Sequence, residues 1–332
     1  MARAAAHGGT IVIPPEHLAQ LHARGWAVVA LGDALRDRLL HPWSMVESLL
    51  GMPAVLLEVQ PIRAVPGGRS FASSMVDTPL HTDSQQWRAR PPELQLTACL
   101  RAAEHDGESL LLDGHALLAA IARDDPRLYD ALLRVPRCLP FVFGDVLGPT
   151  AALRGGRCVV THTPRPRDDD AIAPRLAAAI ARSSPEVVRL NAGDVLLLDN
   201  HRVLHGRRGF DDPRRELLRV LAWLDTPLGP TPSWANVAGE VAQTIARELQ
   251  DESPAVRRSF GVEDRGEPDL PTRAVAAMMA GAPPGMLSAR LGVPEPQLYL
   301  WRDAIAVDLP SHRIACQRAL ARLAAFATPS RS

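Results

Sequence analysis

Two histidines and one aspartate in the sequence have the side chains and the spacing of a candidate metal site. His81 and Asp83 lie two residues apart in PLHTDSQ, and His205 follows much later in GDVLLLDNHRVLHG. If the first segment is extended, His81 and Asp83 point to the same face of it. Two imidazoles and one carboxylate on one face of a metal ion form the facial triad of non-haem Fe(II) oxygenases, which leaves positions open for a co-substrate and O2. The spacing alone is a weak signal, because His-x-Asp occurs by chance in many proteins.

Two arginines that follow His205 add a second element to this hypothesis. Arg215 and Arg219 lie four residues apart in RRELLRVLAWL. In a strand, this even separation puts both side chains on one face. A guanidinium near the metal would bind a carboxylate through two parallel hydrogen bonds.

In combination, three stretches of the chain resemble the taurine dioxygenase/TfdA family of Fe(II)- and 2-oxoglutarate-dependent oxygenases. The stretches are PLHTDSQQW, PPELQLTACLRAAEHDGESLLLDG and AGDVLLLDNHRVLHGRRGFDDPRRELLRVLAWL, within about residues 54–225. The resemblance implies that the Fe(II) ligands are His81, Asp83 and His205.

The resemblance also assigns residues to the co-substrate. It implies that Arg215 binds the distal carboxylate of 2-oxoglutarate and that Ser109, in the GES sequence, contacts the same carboxylate. Arg219 would lie nearer the substrate or assist with the co-substrate. The interval from His205 to Arg215 is slightly shorter than in taurine dioxygenase, so the division of roles between the two arginines stays open.

The activity implied by the resemblance is an oxidation that uses Fe(II), 2-oxoglutarate and O2. We expect hydroxylation of an unactivated carbon in a small polar substrate, such as an amino acid or a natural-product intermediate, with release of succinate and CO2. A carboxylate-bearing substrate would suit the arginines. Desaturation, epoxidation or cyclisation with the same cofactors stay open. Two alternatives from other classes are a cupin-like regulatory protein with a DNA-binding helical tail, and a hydrolase that uses the triad with another metal.

The elements around the candidate site predict a mainly β fold with helices. Strands are predicted at AVLLEVQ, LQLTACLR, ESLLLDG, RCVVTH, VVRLNAGDVLLLDNHRVLHGRR and RELLRVLAWLD. Residues 14–50 read as helical with breaks, 60–92 as loop-rich and 172–183 as a helix. Separate runs of strands and helices favour a β core with added helices over a parallel βαβ sheet. We therefore predict a double-stranded β-helix, the cupin-like jelly roll, with peripheral helices.

The chain divides into two predicted regions. Residues 1–225 form the dioxygenase domain, with the jelly-roll core over about 54–225, and residues 226–332 form a helical C-terminal region. Within the second region, residues 285–306 resemble a helix-turn-helix with its turn at Gly292. The region holds as many acidic residues as arginines, so it lacks the positive field that DNA binding requires. We expect its helices to cover the core or to form a homo-oligomer interface.

The composition argues against several classes of function. The 332 residues carry 37 basic and 37 acidic side chains, a balance that gives no support for a nucleic-acid partner. None of the basic residues is lysine, which excludes Schiff-base chemistry and a P-loop lysine. The four cysteines are too far apart for a CxxC motif, and no apolar run approaches the roughly 18 residues of a membrane span. We expect a soluble cytoplasmic protein with free thiols that acts on a small molecule.

Overall fold

The structure is a computed structural model, and it describes the central part of the chain together with a short C-terminal piece. The described residues are 13–39, 42–52, 54–66, 68, 70–85, 91–135, 137–141, 144–154, 156–168, 170–224, 226–240, 274, 283–292, 294–296 and 298. Most of the helical C-terminal region predicted over 226–332 therefore lies outside the described residues.

The strands of the described part are named here in chain order. They are β1 (Trp26–Ala30), β2 (Ala54–Arg63), β3 (Thr78–His81), β4 (Leu94–Arg101), β5 (Ser109–Asp113), β6 (Arg137–Phe141), β7 (Gly144–Gly148), β8 (Ala151–Arg154), β9 (Arg157–Val160), β10 (Glu186–Val188), β11 (Asp194–Asp199), β12 (Val203–Arg207) and β13 (Glu216–Leu224). The helices are α1 (Pro15–Arg24), α2 (Ala34–Leu39), α3 (Pro42–Leu50), α4 (Gly114–Asp124), α5 (Pro126–Arg134), α6 (Ala173–Arg182) and α7 (Pro284–Leu291).

Two antiparallel sheets pack face to face and enclose the interior of the domain. The larger sheet has the strand order β1-β11-β4-β13-β2 and the smaller sheet has the order β10-β5-β12-β3. A shared apolar cluster joins them, with Leu196 and Leu217 from the larger sheet and Leu111 and Val203 from the smaller. This arrangement confirms the predicted jelly-roll core, and β6-β7 and β8-β9 form two separate hairpins beside it.

The larger sheet is covered on its outer face by α1 and α3, and strand β4 shows how its two faces differ. Leu96 of β4 packs outward in one cluster with Leu21 of α1 and Met45 of α3. The alternate residues Gln95 and Thr97 point inward and line a pocket between the sheets. Because strand β4 is buried on both faces, polar side chains on it are positioned for a site rather than for solvent.

The smaller sheet is covered by α4, α5 and α6. Leu204 of β12 packs in one cluster with Leu118 of α4 and Leu176 of α6. Trp234 and Ala238, which follow β13 in the chain, belong to the same cluster. The beginning of the predicted C-terminal region thus packs directly on the helices of the predicted dioxygenase domain.

Trp26–Ala30 lie in a break of the helical pattern predicted over 14–50, and they form the edge strand β1, which the sequence analysis did not predict. Gly25 ends α1 in the left-handed conformation, with φ of 90°. Trp26, Ala27 and Val29 are then buried while β1 pairs with β11. The run is too short for a stable helix, and it gains both a hydrogen-bonded neighbour and a buried face as a strand.

The described C-terminal piece contains the first half of the predicted helix-turn-helix. Helix α7 ends at Gly292, which has φ of 65°, as the predicted turn requires. Most of the second helix lies outside the described residues, so DNA binding and oligomerisation through this region stay predictions. Among the described residues, no helix has both the length and the apolar character that crossing a bilayer demands.

Candidate metal centre

Strands β12 and β3 place the two candidate histidine ligands side by side. His205 and His81 are direct cross-strand partners, and their ring centroids lie 4.4 Å apart. Both side chains are buried, with 9% and 7% exposure. The neighbouring Gly206 allows this approach, because a Cβ at that position would lie 2.5 Å from the carbonyl oxygen of Thr78. The sequence HG at the end of β12 is therefore a structural requirement for pairing with β3.

Asp83 completes the cluster from the segment that follows β3. Its Oδ1 lies 3.4 Å from Nε2 of His81, and its Oδ2 lies 3.5 Å from Nε2 of His205. The ligand atoms of the three residues all lie within 4.8 Å of one another. The structure thus brings together the three residues that the sequence singled out, with His81 and Asp83 facing the same point as predicted.

Hydrogen bonding selects the nitrogen of His81 that faces the cluster. Nδ1 of His81 lies 2.9 Å from the carbonyl oxygen of Pro79, so Nδ1 carries the proton and donates it there. Nε2 is then the ring nitrogen that faces Asp83 and the candidate metal position. Nε2 of His205 faces the same point and lies 3.4 Å from the side-chain nitrogen of Gln95.

The charge states of the cluster suit a divalent cation. Burial alone would raise the pKa of Asp83, but the Arg219 guanidinium, with the two histidines, holds that pKa well below its ordinary value. Burial is the main cause that lowers the pKa of His205, and His81 adds to it. At neutral pH the cluster therefore offers an anionic carboxylate and a neutral imidazole, the forms that bind metals.

Arg219 lies at the cluster itself. From β13 its guanidinium donates hydrogen bonds to Oδ2 of Asp83 and, over 2.5 Å, to Oε1 of Gln60 on β2. Gln60 and Arg219 are cross-strand partners in the larger sheet. Arg219 thus joins the candidate metal ligand Asp83 to the Gln60 amide on the neighbouring strand.

Arg215 lies deeper in the same pocket. It is 5% exposed, its Nη2 donates to the carbonyl of Gly107 over 3.1 Å, and its guanidinium lies 4.8 Å from the ring centroid of Phe210. Its Nη1 is buried and has no hydrogen-bond partner among the described residues. Burial lowers the pKa of Arg215 to about 10, so it is still a cation at neutral pH. A buried cation with a free donor fits a carboxylate, and Ser109 lines the same pocket.

The Gly107 position explains part of the GES sequence. Gly107 has φ of 74°, and a Cβ there would lie 3.1 Å from Nε of Arg215. Glycine therefore provides both the turn into β5 and the space that the guanidinium occupies.

Sequence reasoning missed several residues of the pocket. Gln95 and Thr97 line it from inward-facing positions on β4, and Gln60 on β2 accepts a hydrogen bond from the pocket residue Arg219. The Phe71 ring lies 4.8 Å from that of His81, and Arg207 donates to the Phe71 carbonyl, so the segment before β3 covers the cluster. Inward positions on β2 and β4 could have identified the strand residues, but no sequence signal identifies Phe71.

The donor set fits Fe(II) and a dicarboxylate. Two imidazole nitrogens and one carboxylate oxygen on one side of a point are the donors of the facial triad. The unpaired Nη1 of Arg215 fits the far end of a dicarboxylate that reaches the metal.

The chain matches one family model and is similar to several solved structures. The family described as "Taurine catabolism dioxygenase TauD, TfdA family" matches residues 62–167 and 166–221. Among solved structures, the chain is similar to the non-heme iron oxygenase OrfP in complex with Fe and alpha-ketoglutaric acid, at 18% identity and a TM-score of 0.44, over 64% of this chain and 78% of that chain. It is also similar to asparagine oxygenase in complex with Fe(II), 2S,3S-3-hydroxyasparagine and succinate, at 19% identity and a TM-score of 0.48, over 63% and 78%.

No curated protein sequence matches the chain. The family match nevertheless runs through every strand that carries the cluster, from β3 to β13, and includes both pocket arginines. The chain is similar to the TauD, TfdA family of dioxygenases over residues 62–221, just under half of its length.

Proposed function

We propose that this protein is an Fe(II)- and 2-oxoglutarate-dependent oxygenase that hydroxylates an unactivated carbon of a small polar substrate, such as an amino acid or a natural-product intermediate. The observation that carries the proposal is the convergence of His81, Asp83 and His205 in one pocket with the unpaired guanidinium nitrogen of Arg215. The match of residues 62–221 to a dioxygenase family supports it.

In this proposal the three clustered side chains hold the metal. His205 offers a neutral nitrogen, Asp83 offers the one negative charge, and His81 presents Nε2 to the same point. Fe(II), when bound with 2-oxoglutarate and O2, supplies an oxidant for the substrate carbon as 2-oxoglutarate becomes succinate and CO2. His81 and His205 are buried and the Asp83 side chain is only 15% exposed, so the electrostatic interactions of the cluster are stronger than they would be in water.

We assign the co-substrate to Arg215 and Ser109. Arg215 has a buried Nη1 donor without a hydrogen-bond partner among the described residues, whereas Arg219 already binds Asp83 and Gln60. A carboxylate beside Arg215 would pair a cation that the fold has already desolvated, so little further cost is incurred on binding. Arg219 then faces the substrate side, where it would favour a carboxylate-bearing molecule.

The segment before β3 would exclude water from the substrate. Arg207 holds it by donating to the carbonyl oxygens of Phe71, Ser74 and Val76 over 2.7–3.3 Å. Phe71 is thereby held against His81. Such a cover confines the oxidation to the bound substrate.

Anaerobic titration with Fe(II) and 2-oxoglutarate tests the proposal. A visible metal-to-ligand charge-transfer band is expected for the wild-type protein and should be lost in His81→Ala and His205→Ala. His22→Ala, which removes an exposed imidazole on α1, is the matched control and should keep the band. Succinate formation across a panel of amino acids and other carboxylated metabolites then finds the substrate, and the product mass separates hydroxylation from desaturation or cyclisation.

Two outcomes would favour the other classes. A folded wild-type protein without the band would favour the regulatory binding protein. Turnover that needs no O2 and gives no succinate would favour the hydrolase.

We also propose a cytoplasmic location and a homo-oligomer formed through the C-terminal helices. The free thiols of Cys99 and Cys158 support a reducing compartment. Light scattering of the full chain and of a chain ending after residue 240 tests the second proposal, because only the full chain should form the oligomer.

A further inference from the structure

Asn200 lies in the short turn between β11 and β12, far along the chain from Asp83, yet its side chain binds the backbone of Asp83 on both sides. Oδ1 of Asn200 accepts a hydrogen bond from the Asp83 N–H over 3.0 Å. Nδ2 of Asn200 donates to the carbonyl oxygens of Asp83 and Pro92, each over 3.0 Å. Asn200 is fully buried, with 0% exposure. Its amide therefore makes one donor and one acceptor contact with the Asp83 backbone and ties it through the second donor to the Pro92 carbonyl.

The backbone of Asp83 needs such support because no strand provides it. Strand β3 ends at His81, and the next residue after Asp83, Ser84, has φ of 55°. A non-glycine residue in that conformation is held there by its surroundings. Besides Asn200, the side chain of Gln85 donates to the Asp83 carbonyl over 3.1 Å.

The position of Asn200 also links the two parts of the metal centre. The turn that contains Asn200 leads directly into β12, which carries His205. The Asp83 amide and carbonyl are thus fixed relative to the strand that provides the third ligand. A buried amide with all three hydrogen bonds made holds its backbone partners more rigidly than a salt bridge through flexible side chains would.

We propose that Asn200 is a positioning residue for the metal centre, which fixes the Asp83 backbone so that the carboxylate faces the two histidines. The inference rests on the proposed function, because it concerns the affinity of the same site. Asn200 touches neither the candidate metal position nor the substrate pocket, so its effect on metal binding would be transmitted through Asp83.

Equilibrium binding of Co2+ to the full chain, followed by its visible spectrum, tests the proposal. Asn200→Ala removes all three hydrogen bonds, and Asn200→Asp keeps the size and the acceptor but loses both donors. We expect the dissociation constant for Co2+ to rise at least about 10-fold in both variants, as is typical when a residue that orients a metal ligand is lost. A change in the Co2+ absorption envelope should accompany the weaker binding, because the carboxylate ligand is no longer held in one orientation.

His201→Ala is the matched control. His201 is the next residue, is buried, and its Nε2 hydrogen bonds the Pro91 carbonyl over 2.7 Å, so it contacts the same segment without touching Asp83. We expect a lower melting temperature but Co2+ affinity within about 2-fold of the wild type, as for a site that is not coupled to the metal ligands.

Equal Co2+ affinity in a folded Asn200 variant and the wild type would overturn the proposal. An equally large loss in His201→Ala would also overturn it, because the effect would then be a general loss of stability. If Asn200→Ala does not fold, Asn200→Asp provides the same comparison. A wild-type protein that binds no Co2+ would instead count against the proposed function itself, so the two failures are distinguishable.

Discussion

The Arg219 guanidinium donates a hydrogen bond to the Asp83 carboxylate, at the point where Asp83 also faces the two histidines. Burial raises the pKa of Asp83, and Arg219 is the largest influence that lowers it. Burial lowers the pKa of His205, and the positive charge of Arg219 lowers it further. One arginine thus favours the metal-binding protonation state of two candidate ligands, the ionised carboxylate and the neutral imidazole.

Arg219→Gln should make metal binding more sensitive to acid. Without the cation, the pKa values of Asp83 and His205 both rise, so protons compete with the metal at higher pH. We expect the pH at which half of the Co2+ binding is lost to acid to rise by about one unit, the low end of the shift that a close charge produces. Binding titrations between pH 5 and 8 measure this. Arg134→Gln, which removes an exposed arginine on α5, is the control, and an identical half-loss pH in both variants would contradict the prediction.

Arg215→Met should abolish tight 2-oxoglutarate binding and leave metal binding intact. A hydrogen bond to a charged group contributes about 1.5–3 kcal/mol, so the dissociation constant should rise roughly 10- to 150-fold. The charge-transfer band, titrated with 2-oxoglutarate under anaerobic conditions, gives this constant. Without ligand the variant should unfold at the same temperature as the wild type or higher, because Nη1 of Arg215 is buried without a partner.

The same titration decides between the two arginines. Arg214→Gln, a change in the exposed neighbouring side chain, should leave the 2-oxoglutarate affinity unchanged. Unchanged affinity in Arg215→Met would show that Arg215 is not the anchor and would point to Arg219.

The strands of the core could be predicted because their patterns are local. LQLTACLR forms β4 with the predicted bounds Leu94–Arg101, and RELLRVLAWLD contains β13 within one residue at each end. Turn residues bound these runs, and their β-branched and leucine-rich content suits strands that are buried on both faces. The prediction that the His81 and Asp83 side chains point to the same face uses only the two-residue period of an extended segment.

The interactions that hold the site in place could not be predicted, because they join residues far apart in the chain. Asn200 reads in the sequence as a turn residue that caps its own loop, yet it binds Asp83 more than a hundred residues earlier. The sequence also puts Arg215 and Arg219 on one face without showing which of them meets Asp83. That depends on the pairing of β13 with β2, which brings Gln60 to Arg219.

Gly206→Ala should disrupt the pairing of β12 with β3. An added Cβ would lie 2.5 Å from the carbonyl oxygen of Thr78, and a backbone atom in a paired strand cannot easily move away. We expect destabilisation of about 1–3 kcal/mol, as for overpacking, together with weaker Co2+ binding because His81 moves with β3. Gly239→Ala, whose Cβ would meet only the Leu153 methyl group at 3.5 Å, should be neutral or stabilising. Urea unfolding of both variants tests this, and equal stabilities would contradict it.

Asp199→Asn should stabilise the protein relative to the wild type at neutral pH but not at acid pH. Burial raises the pKa of Asp199 to about 7, although the His201 N–H and Arg202 oppose the shift. In the unfolded chain an aspartate ionises near pH 4, so between about pH 4 and 7 the folded state holds a proton that the unfolded state has released. Wild-type stability from this group therefore falls as pH rises through that window, by up to about 4 kcal/mol.

The asparagine removes this dependence while its side-chain oxygen still accepts the 2.9 Å hydrogen bond from the His201 N–H. The difference in unfolding free energy between Asp199→Asn and the wild type should be near zero at pH 4 and should grow in favour of the variant up to pH 8. Asp130→Asn, at an exposed site on α5, should give a nearly constant difference, because exposed ion pairs contribute little. Urea unfolding at four pH values measures both curves. A constant difference for Asp199→Asn would mean that its carboxyl group is ionised in the folded protein, with Arg202 outweighing the cost of burial.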